Sequence, residues 1–260
     1  MNKRELIVKN HQILSFSRVF AVTGQGENVF WPGCAVLSMG SELSKRTYDF
    51  LKLLIPNLTY STACCGKPSK YILGGKDFPK RRDFLEKTLT KKGVTTIYTL
   101  CPNCFDTLGG FEGVRVVSVW AMIDQNFPDE ARGILEGRAL AIHDPCPIGS
   151  DIESAQYVRN ILEKMGAEVL EFKNNREKTL CCGKKNMIMA LDPKRGQRMF
   201  NARAKQAPCR DIVTYCASCK DTFVDNEFEC SHVLELLFQI KASPSWVNRY
   251  KAVKSLERKG

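Results

Sequence analysis

The sequence contains no long apolar run, and this absence excludes a membrane-spanning helix. A bilayer takes about 20 consecutive apolar residues, and no stretch of this 260-residue chain approaches that. Near the start, Lys9, His11, Gln12 and Arg18 interrupt any apolar segment of the kind that a signal peptide requires. We therefore expect a cytoplasmic protein without a transmembrane segment.

Acidic charge is also scarce. The chain has 28 Asp and Glu residues against 39 Lys and Arg, which gives a formal net charge of +11. Such a balance can indicate nucleic-acid binding. However, the basic residues are scattered, and no stripe combines them with aromatic side chains. We expect a solvated basic surface and no nucleic-acid partner.

Cysteine, in contrast, is abundant, with twelve residues. In a reducing cytosol, cysteine-rich patterns serve metals or catalysis far more often than structural disulfides. Two pairs are adjacent in the chain, Cys64–Cys65 and Cys181–Cys182, and a disulfide between neighbours requires a strained ring. The pattern therefore favours metal binding over a disulfide framework.

Ten of the twelve cysteines belong to one pattern that occurs twice. Each copy has a lone cysteine, then an adjacent pair followed by glycine, then a CxxC pair, at nearly equal spacing. Chance repetition of a five-cysteine pattern is negligible, so the chain contains an internal repeat. The candidate metal ligands are Cys34, Cys64, Cys65, Cys101 and Cys104, followed by Cys146, Cys181, Cys182, Cys216 and Cys219.

Short runs of β-branched and apolar residues precede the lone cysteines and the CxxC pairs, and they have the length of strands. Segments with helical periodicity lie between them. The predicted strands are 29–31, 95–100, 139–142 and 211–215, and the predicted helices are 41–55, 78–92, 151–165 and 193–205.

Alternating strands and helices predict an α/β protein with a parallel sheet, flanked by helices, in each repeat. Such sheets bind ligands at the carboxyl ends of their strands, where the cysteines lie. We expect two domains related by an approximate twofold axis, with both sites on a common cleft. Residues 1–135 would hold the first repeat with an N-terminal extension, which we expect to add a hairpin or strand. Residues 136–260 would hold the second repeat and a C-terminal helical tail.

Five thiolates in each repeat limit the choice of metal. Soft sulfur-only sites favour iron–sulfur clusters, zinc or Cu(I). A structural zinc site and an ordinary cubane [4Fe–4S] cluster each take four ligands, which leaves one sulfur in surplus. The residues alone therefore favour clusters and keep zinc as the alternative.

The doubled CCG motif resembles the cysteine-rich CCG-domain iron–sulfur proteins, and in particular the CCG-domain subunit of heterodisulfide reductase. The flanking sequences WPGC at 31–34, HDPC at 143–146 and LCPNC at 100–104 share this resemblance. It implies that each repeat holds a noncubane [4Fe–4S] cluster through all five of its cysteines. It also implies redox catalysis in which a small disulfide is reduced by electrons from two clusters.

The chain has none of the dense CxxCxxC runs of a ferredoxin module. Electrons would then come from a ferredoxin-like or flavin-containing partner subunit. Two further interpretations stay open, a non-catalytic electron-transfer subunit of a dehydrogenase or quinone-linked complex, and a zinc-stabilised interaction module.

Four residues outside the ligand sets are candidates for substrate binding, although a solvated basic surface or a turn-stabilising histidine would explain them equally. The basic residues could attract an anionic thiol or an acidic electron donor. The histidine could donate a proton or a hydrogen bond to sulfur. These candidates are Lys67, His143, Lys184 and Lys185. Cys209 and Cys230 lie outside the repeat and are expected to be packing residues.

Overall fold

The computed structural model describes residues 2–257. These residues form two compact units. The first contains the chain up to Val117 together with the part from Ala242 onward, and the second is Ser118–Lys241. The predicted division at residues 135 and 136 stays a prediction about the repeats, since the compact units have different limits.

The first sheet has four strands in the order β2-β1-β3-β4. Strand β1 is central and pairs in parallel with both β2 and β3. The elements are α1 (Lys3–Ser15), β1 (Asn28–Trp31), α2 (Cys34–Met39), α3 (Ser41–Leu54), β2 (Thr59–Tyr60), α4 (Asp77–Lys91), β3 (Thr96–Thr99), α5 (Pro102–Leu108) and β4 (Arg115–Ser118).

The second sheet repeats this topology in the order β6-β5-β7-β8. Its central strand β5 pairs in parallel with β6 and β7, and β7 pairs in parallel with β8. The elements are α6 (Val119–Gln125), β5 (Ala139–His143), α7 (Glu153–Lys164), β6 (Glu168–Glu171), α8 (Ile188–Leu191), α9 (Pro193–Ala204), β7 (Asp211–Thr214), α10 (Ala217–Val224), β8 (Glu229–His232) and α11 (Val233–Leu237). A last helix, α12 (Trp246–Glu257), groups with the first unit.

The predicted fold class is confirmed by these two sheets and their flanking helices. Each of the four predicted helices is present within two residues of its predicted bounds. The central strands read as continuous buried runs, as expected for strands covered on both faces. The twofold relation between the repeats and their common cleft stay predictions.

Several of the cysteines are part of the hydrophobic core of their own unit. In the first unit, a buried cluster around Trp31 includes Cys65 and Cys104 together with Val29, Ile97 and Leu108. In the second unit, a buried cluster around Phe223 includes Cys182, Cys216 and Cys219. These five candidate ligands therefore lie inside packed protein.

The segment ahead of the first repeat begins with a helix that the sequence did not predict. Its later part forms an isolated antiparallel bridge, Thr23 to Ser61, next to the end of β2, so the expected strand is present only as this bridge. Helix α1 begins with a capping box, in which the Asn2 side chain accepts from the backbone of Glu5 and Glu5 accepts from the backbone of Asn2. This cap satisfies backbone donors that a helix start would leave unpaired.

Within residues 2–257, no helix has the length and apolar character needed to cross a membrane.

Candidate metal centres

In the first repeat, the end of β1 brings the lone cysteine against the CxxC helix. Cys34 begins α2, and Cys101 is the residue that caps the start of α5, which contains Cys104. Between β1 and α2 lies Gly33, at φ +85°. A Cβ there would come within 2.8 Å of the Cys101 Cβ and 3.3 Å of the Cys104 Sγ. Only glycine therefore allows this close approach.

The adjacent pair follows β2 and turns back toward the same place. The Sγ atoms of Cys34 and Cys64 lie 3.8 Å apart. Gly66 has a left-handed conformation, with φ +80°, and its backbone N–H donates to the Cys64 Sγ at 3.4 Å. Cys64 and Cys65 are both buried. The five cysteines of the first copy thus converge at one end of the first sheet.

Two helices outside the repeat support this first centre. From α1, the Gln12 amide nitrogen donates to the Cys64 Sγ at 3.6 Å, and its oxygen accepts from Ser69 at 3.0 Å. From α12, the buried Arg249 donates to the Ser15 hydroxyl at 2.8 Å. Nothing in the cysteine pattern pointed to these contacts, because both helices lie far from the motif in sequence.

The second repeat forms an equivalent centre. The backbone N–H groups of Gly183 and Lys185 donate to the Cys181 Sγ at 3.2 and 3.3 Å. The Sγ atoms of Cys182 and Cys219 lie 3.3 Å apart. Backbone amides aimed at one sulfur favour its thiolate form.

The remaining cysteines of the second copy follow strands β5 and β7. Cys146 opens a short 3-10 turn, Cys146–Ser150, after β5. Cys216 caps α10, which contains Cys219. Both arrangements match those of Cys34 and Cys101 in the first repeat.

A buried carboxylate in the second repeat holds several of these segments together. Asp144 accepts two hydrogen bonds from Arg159 of α7, at 3.0 and 2.9 Å, and one from the Tyr215 hydroxyl at 2.9 Å. It also accepts the backbone N–H of Arg176 at 2.7 Å, and its carbonyl accepts from the Thr179 hydroxyl at 2.8 Å. All of its partners lie in the second unit.

The position of this carboxylate explains its effect. Asp144 lies two residues before Cys146, while its partners lie close to Cys181 and directly before Cys216. The side chain and the backbone carbonyl of Asp144 therefore connect three cysteine-bearing segments. Burial acts to raise the pKa of Asp144, but the hydrogen bonds and charge of Arg159, together with the hydrogen bonds from Arg176 and Tyr215, outweigh it and lower the pKa. The carboxylate therefore stays charged.

Comparison with known proteins identifies this arrangement. The family model "CCG: Cysteine-rich domain" matches residues 28–109 and again residues 140–223. The chain belongs to the CCG cysteine-rich domain family. Its two CCG repeats contain all ten predicted ligands, as the sequence resemblance implied.

One curated relative shares sequence with much of the CCG protein. A 203-residue segment is 28% identical to FadF of Bacillus subtilis (strain 168), named a probable iron–sulfur-binding oxidoreductase. The match covers 70% of this chain and 28% of the relative. The chain thus spans little more than a quarter of that relative's length.

Solved structures show only a weak similarity to the CCG protein. An aspartate racemase from Picrophilus torridus gives a TM-score of 0.34 at 9% identity, over 87% of this chain and 100% of its own. Glutamate racemase isoform RacE1 from Bacillus anthracis gives 0.35 at 12% identity, over 91% and 83%. This similarity is too weak to indicate a shared function.

Equivalent thiols in the two CCG repeats have pKa values shifted in the same direction. A hydrogen bond with Cys34 lowers the pKa of Cys64 well below the ordinary thiol range. A hydrogen bond with Cys146 lowers the pKa of Cys181 to about 2. The same two bonds raise the pKa of Cys34 and Cys146. The thiolates of Cys64 and Cys181 are thus favoured, and in the first repeat a hydrogen bond with Cys104 also lowers the pKa of Cys101. All five thiols of a repeat can ionise together only with a cationic group to neutralise them.

The donor set fits an iron–sulfur cluster. All twelve cysteines are free thiols in the described structure, and each repeat offers five soft sulfur ligands. Of the ten cysteines in the two sets, Cys34, Cys101 and Cys146 are partly exposed and the other seven are buried. Each centre therefore has one side that reaches the protein surface.

The candidate substrate residues have ordinary partners in the structure. Lys67 forms an ion pair with Asp106 at 2.7 Å, and Lys184 lies 3.7 Å from Asp221. Lys185 contributes its backbone to the second centre, as described above. Their role in substrate binding stays a prediction.

His143, the fourth candidate, is buried in the second centre. One of its ring nitrogens and the Sγ atoms of Cys182 and Cys219 all lie within 4.8 Å of one another. The guanidinium of Arg203, from α9, donates to His143 Nδ1 at 2.9 Å. Arg203 was missed in the sequence, because its helix carries no motif.

The two cysteines outside the sets serve the core of the second unit. Cys209 donates to the Asp211 carbonyl at 3.3 Å, and burial raises the pKa of Cys230. Both pack against the buried cluster around Phe223.

Proposed function

We propose that this chain is an iron–sulfur oxidoreductase subunit that holds two [4Fe–4S] clusters, one in each CCG repeat. The observation that carries the proposal is the duplicated convergence of five cysteine sulfurs at the end of a parallel sheet. Membership of the CCG family and the similarity to FadF, a probable iron–sulfur-binding oxidoreductase, support a role of this kind.

The ligands of each cluster would be the five cysteines of its repeat, Cys34, Cys64, Cys65, Cys101 and Cys104 in the first and Cys146, Cys181, Cys182, Cys216 and Cys219 in the second. Five thiolates exceed the four of an ordinary cubane. This surplus supports a noncubane cluster. When bound, such clusters exchange single electrons.

The substrate class that we propose is a small disulfide, as in heterodisulfide reductase. Its reduction to two thiols takes up two electrons and two protons, and two one-electron centres supply that number of electrons. The partly exposed Cys34 and Cys146 give each centre access to the surface. A ferredoxin-like or flavin-containing partner subunit would supply the electrons.

Metal analysis of anaerobically purified protein tests the cofactor. We expect about four iron atoms per repeat with matching acid-labile sulfide, and a visible charge-transfer spectrum. Zinc without sulfide would instead identify an interaction module and refute the proposal.

Disulfide reduction tests the activity. The loaded protein, supplied with electrons by a reduced low-potential donor, should convert a small disulfide to free thiols, which are counted with a thiol reagent. Protein whose clusters are reduced by the donor but release no thiol from any disulfide tested would be an electron-transfer subunit.

A further inference from the structure

The third residue before the lone cysteine carries a ring N–H in both repeats. It is Trp31 in the first and His143 in the second, and each is the last residue of its central strand. Both side chains are fully buried. The two positions are equivalent, although the side chains differ.

Neither ring N–H has a partner within the described protein. Trp31 Nε1 and His143 Nε2 are buried nitrogens without a hydrogen-bond acceptor. Buried donors in folded proteins are almost always paired, because an unpaired one forfeits its bond to water. Other buried nitrogens, such as Trp120 Nε1 and His232 Nε2, also lack a partner in the described structure. It is the equivalent positions of Trp31 and His143 in the two repeats that point to a common acceptor that is not a protein group.

Both rings share a buried region with the same pair of cysteines in their repeat. Trp31 packs in the buried cluster that contains Cys65 and Cys104. His143 has a ring nitrogen within 4.8 Å of the sulfurs of Cys182 and Cys219. In each repeat, this pair consists of the second cysteine of the CCG motif and the second cysteine of the CxxC motif. The orphaned donors thus lie at matching places in the two ligand sets.

The chemical state of His143 is fixed by Arg203. A guanidinium can only donate, so the bond from Arg203 Nε at 2.9 Å requires His143 Nδ1 to accept. The ring proton is then on Nε2. An indole nitrogen is always a donor. Each repeat therefore has one buried ring N–H, a hydrogen-bond donor, at this position.

We propose that Trp31 Nε1–H and His143 Nε2–H donate hydrogen bonds to sulfur atoms of the cluster in their own repeat, and so raise its reduction potential. N–H···S bonds stabilise the more negative, reduced state of a cluster and are one of the ways in which proteins set its potential. This inference rests on the proposed binding of two clusters. It assigns to both residues a tuning role at the cluster.

Selective nitrogen labelling tests the contact in the unaltered protein. Protein containing ¹⁵N-histidine or ¹⁵N-tryptophan, reduced so that its clusters are paramagnetic, is examined by pulsed EPR. We expect a ¹⁵N coupling from histidine at one cluster and from tryptophan at the other. Clusters that show no coupling from either label would overturn the inference while leaving cluster binding intact. Protein without clusters would instead refute the proposed function.

Variants then measure the effect on potential. Trp31→Phe and His143→Phe remove the N–H and keep a ring, and His143→Gln restores a donor near Nε2. At unchanged iron and sulfide content, each Phe variant should lower the potential of the cluster in its own repeat, with the other cluster as an internal control. The Gln variant should recover much of that loss. Unchanged potentials in both Phe variants would contradict the inference, and a Phe variant that loads no cluster is judged by the ¹⁵N coupling of the parent protein.

Discussion

The two CCG repeats build the same five-cysteine centre with different supports. In the second repeat, the support lies within the repeat itself, where Asp144 joins Arg159 and Tyr215 beside the cysteines. The equivalent position in the first repeat is Pro32, which has no side-chain acceptor. There, Gln12 of α1 donates a hydrogen bond to Cys64, and the buried Arg249 of α12 donates one to Ser15 at the end of α1. The geometry of the ligand set is thus shared, while the polar groups around it are not.

Because their supports differ, the two centres depend on different residues. The second depends on a buried ion pair, because Asp144 is 0% exposed and the Arg159 side chain 3%. The first depends on close packing at Gly33 and on contacts from outside the repeat. Substitutions at these places should therefore affect one centre and spare the other.

The largest effect is expected from Asp144→Ala. Among the described residues, the change leaves Glu171 as the charged partner of the buried Arg159 guanidinium. Removing one member of a buried pair costs about 3–5 kcal/mol when the other is left uncompensated, so we expect the low end, about 3 kcal/mol. We expect the free energy of unfolding, measured by urea denaturation, to fall by about that amount, and the second centre to lose iron. Asp129→Ala, which breaks an exposed ion pair in the same unit, is the control and should change little. Equal stability of the two variants would contradict the role of Asp144.

A smaller effect, in the other repeat, is expected from Gly33→Ala. The new Cβ would meet Cys101 at 2.8 Å in a left-handed conformation, and overpacking with strain costs about 2 kcal/mol. The first centre should lose iron and the second should keep it. Gly93→Ala is the matched control, since Gly93 has a similar φ of +71° and open space around its Cα. Iron loss in both variants would show that backbone strain, rather than contact with the cysteines, is responsible.

The smallest effect is expected from Gln12→Leu. This change removes the donor to Cys64 and leaves the Ser69 hydroxyl without its acceptor, which costs about 1 kcal/mol. The EPR spectrum of the first centre should shift with iron content unchanged. Lys185→Ala is the counterpart in the second repeat and should leave the spectrum unaltered, because the backbone N–H of Lys185 is the donor. An EPR shift in Lys185→Ala without one in Gln12→Leu would contradict this assignment of the two donors.

Much of the fold followed from local patterns in the sequence. Strand β7 and helix α3 show their character in residue type and periodicity, and the CCG and CxxC motifs give the ligand sets directly. The contacts of Gln12 and Arg249 could not be predicted, because long-range packing of α1 and α12 leaves no local signal. Arg203 was missed for the same reason. The tautomer of His143 is fixed by its contact with Arg203, so it could not be predicted from the sequence either.

The central claim is that each CCG repeat holds its own iron–sulfur cluster. The most direct test is EPR and iron analysis of Cys65→Ser and Cys182→Ser, prepared anaerobically beside the parent protein. Serine replaces a soft ligand with a hard one, so each variant should lose about half of the iron and the EPR signal of one cluster only. Disulfide reduction should stop in both, because one remaining centre cannot supply two electrons at once. Loss of both signals from either single change, or full iron content in both variants, would contradict the account.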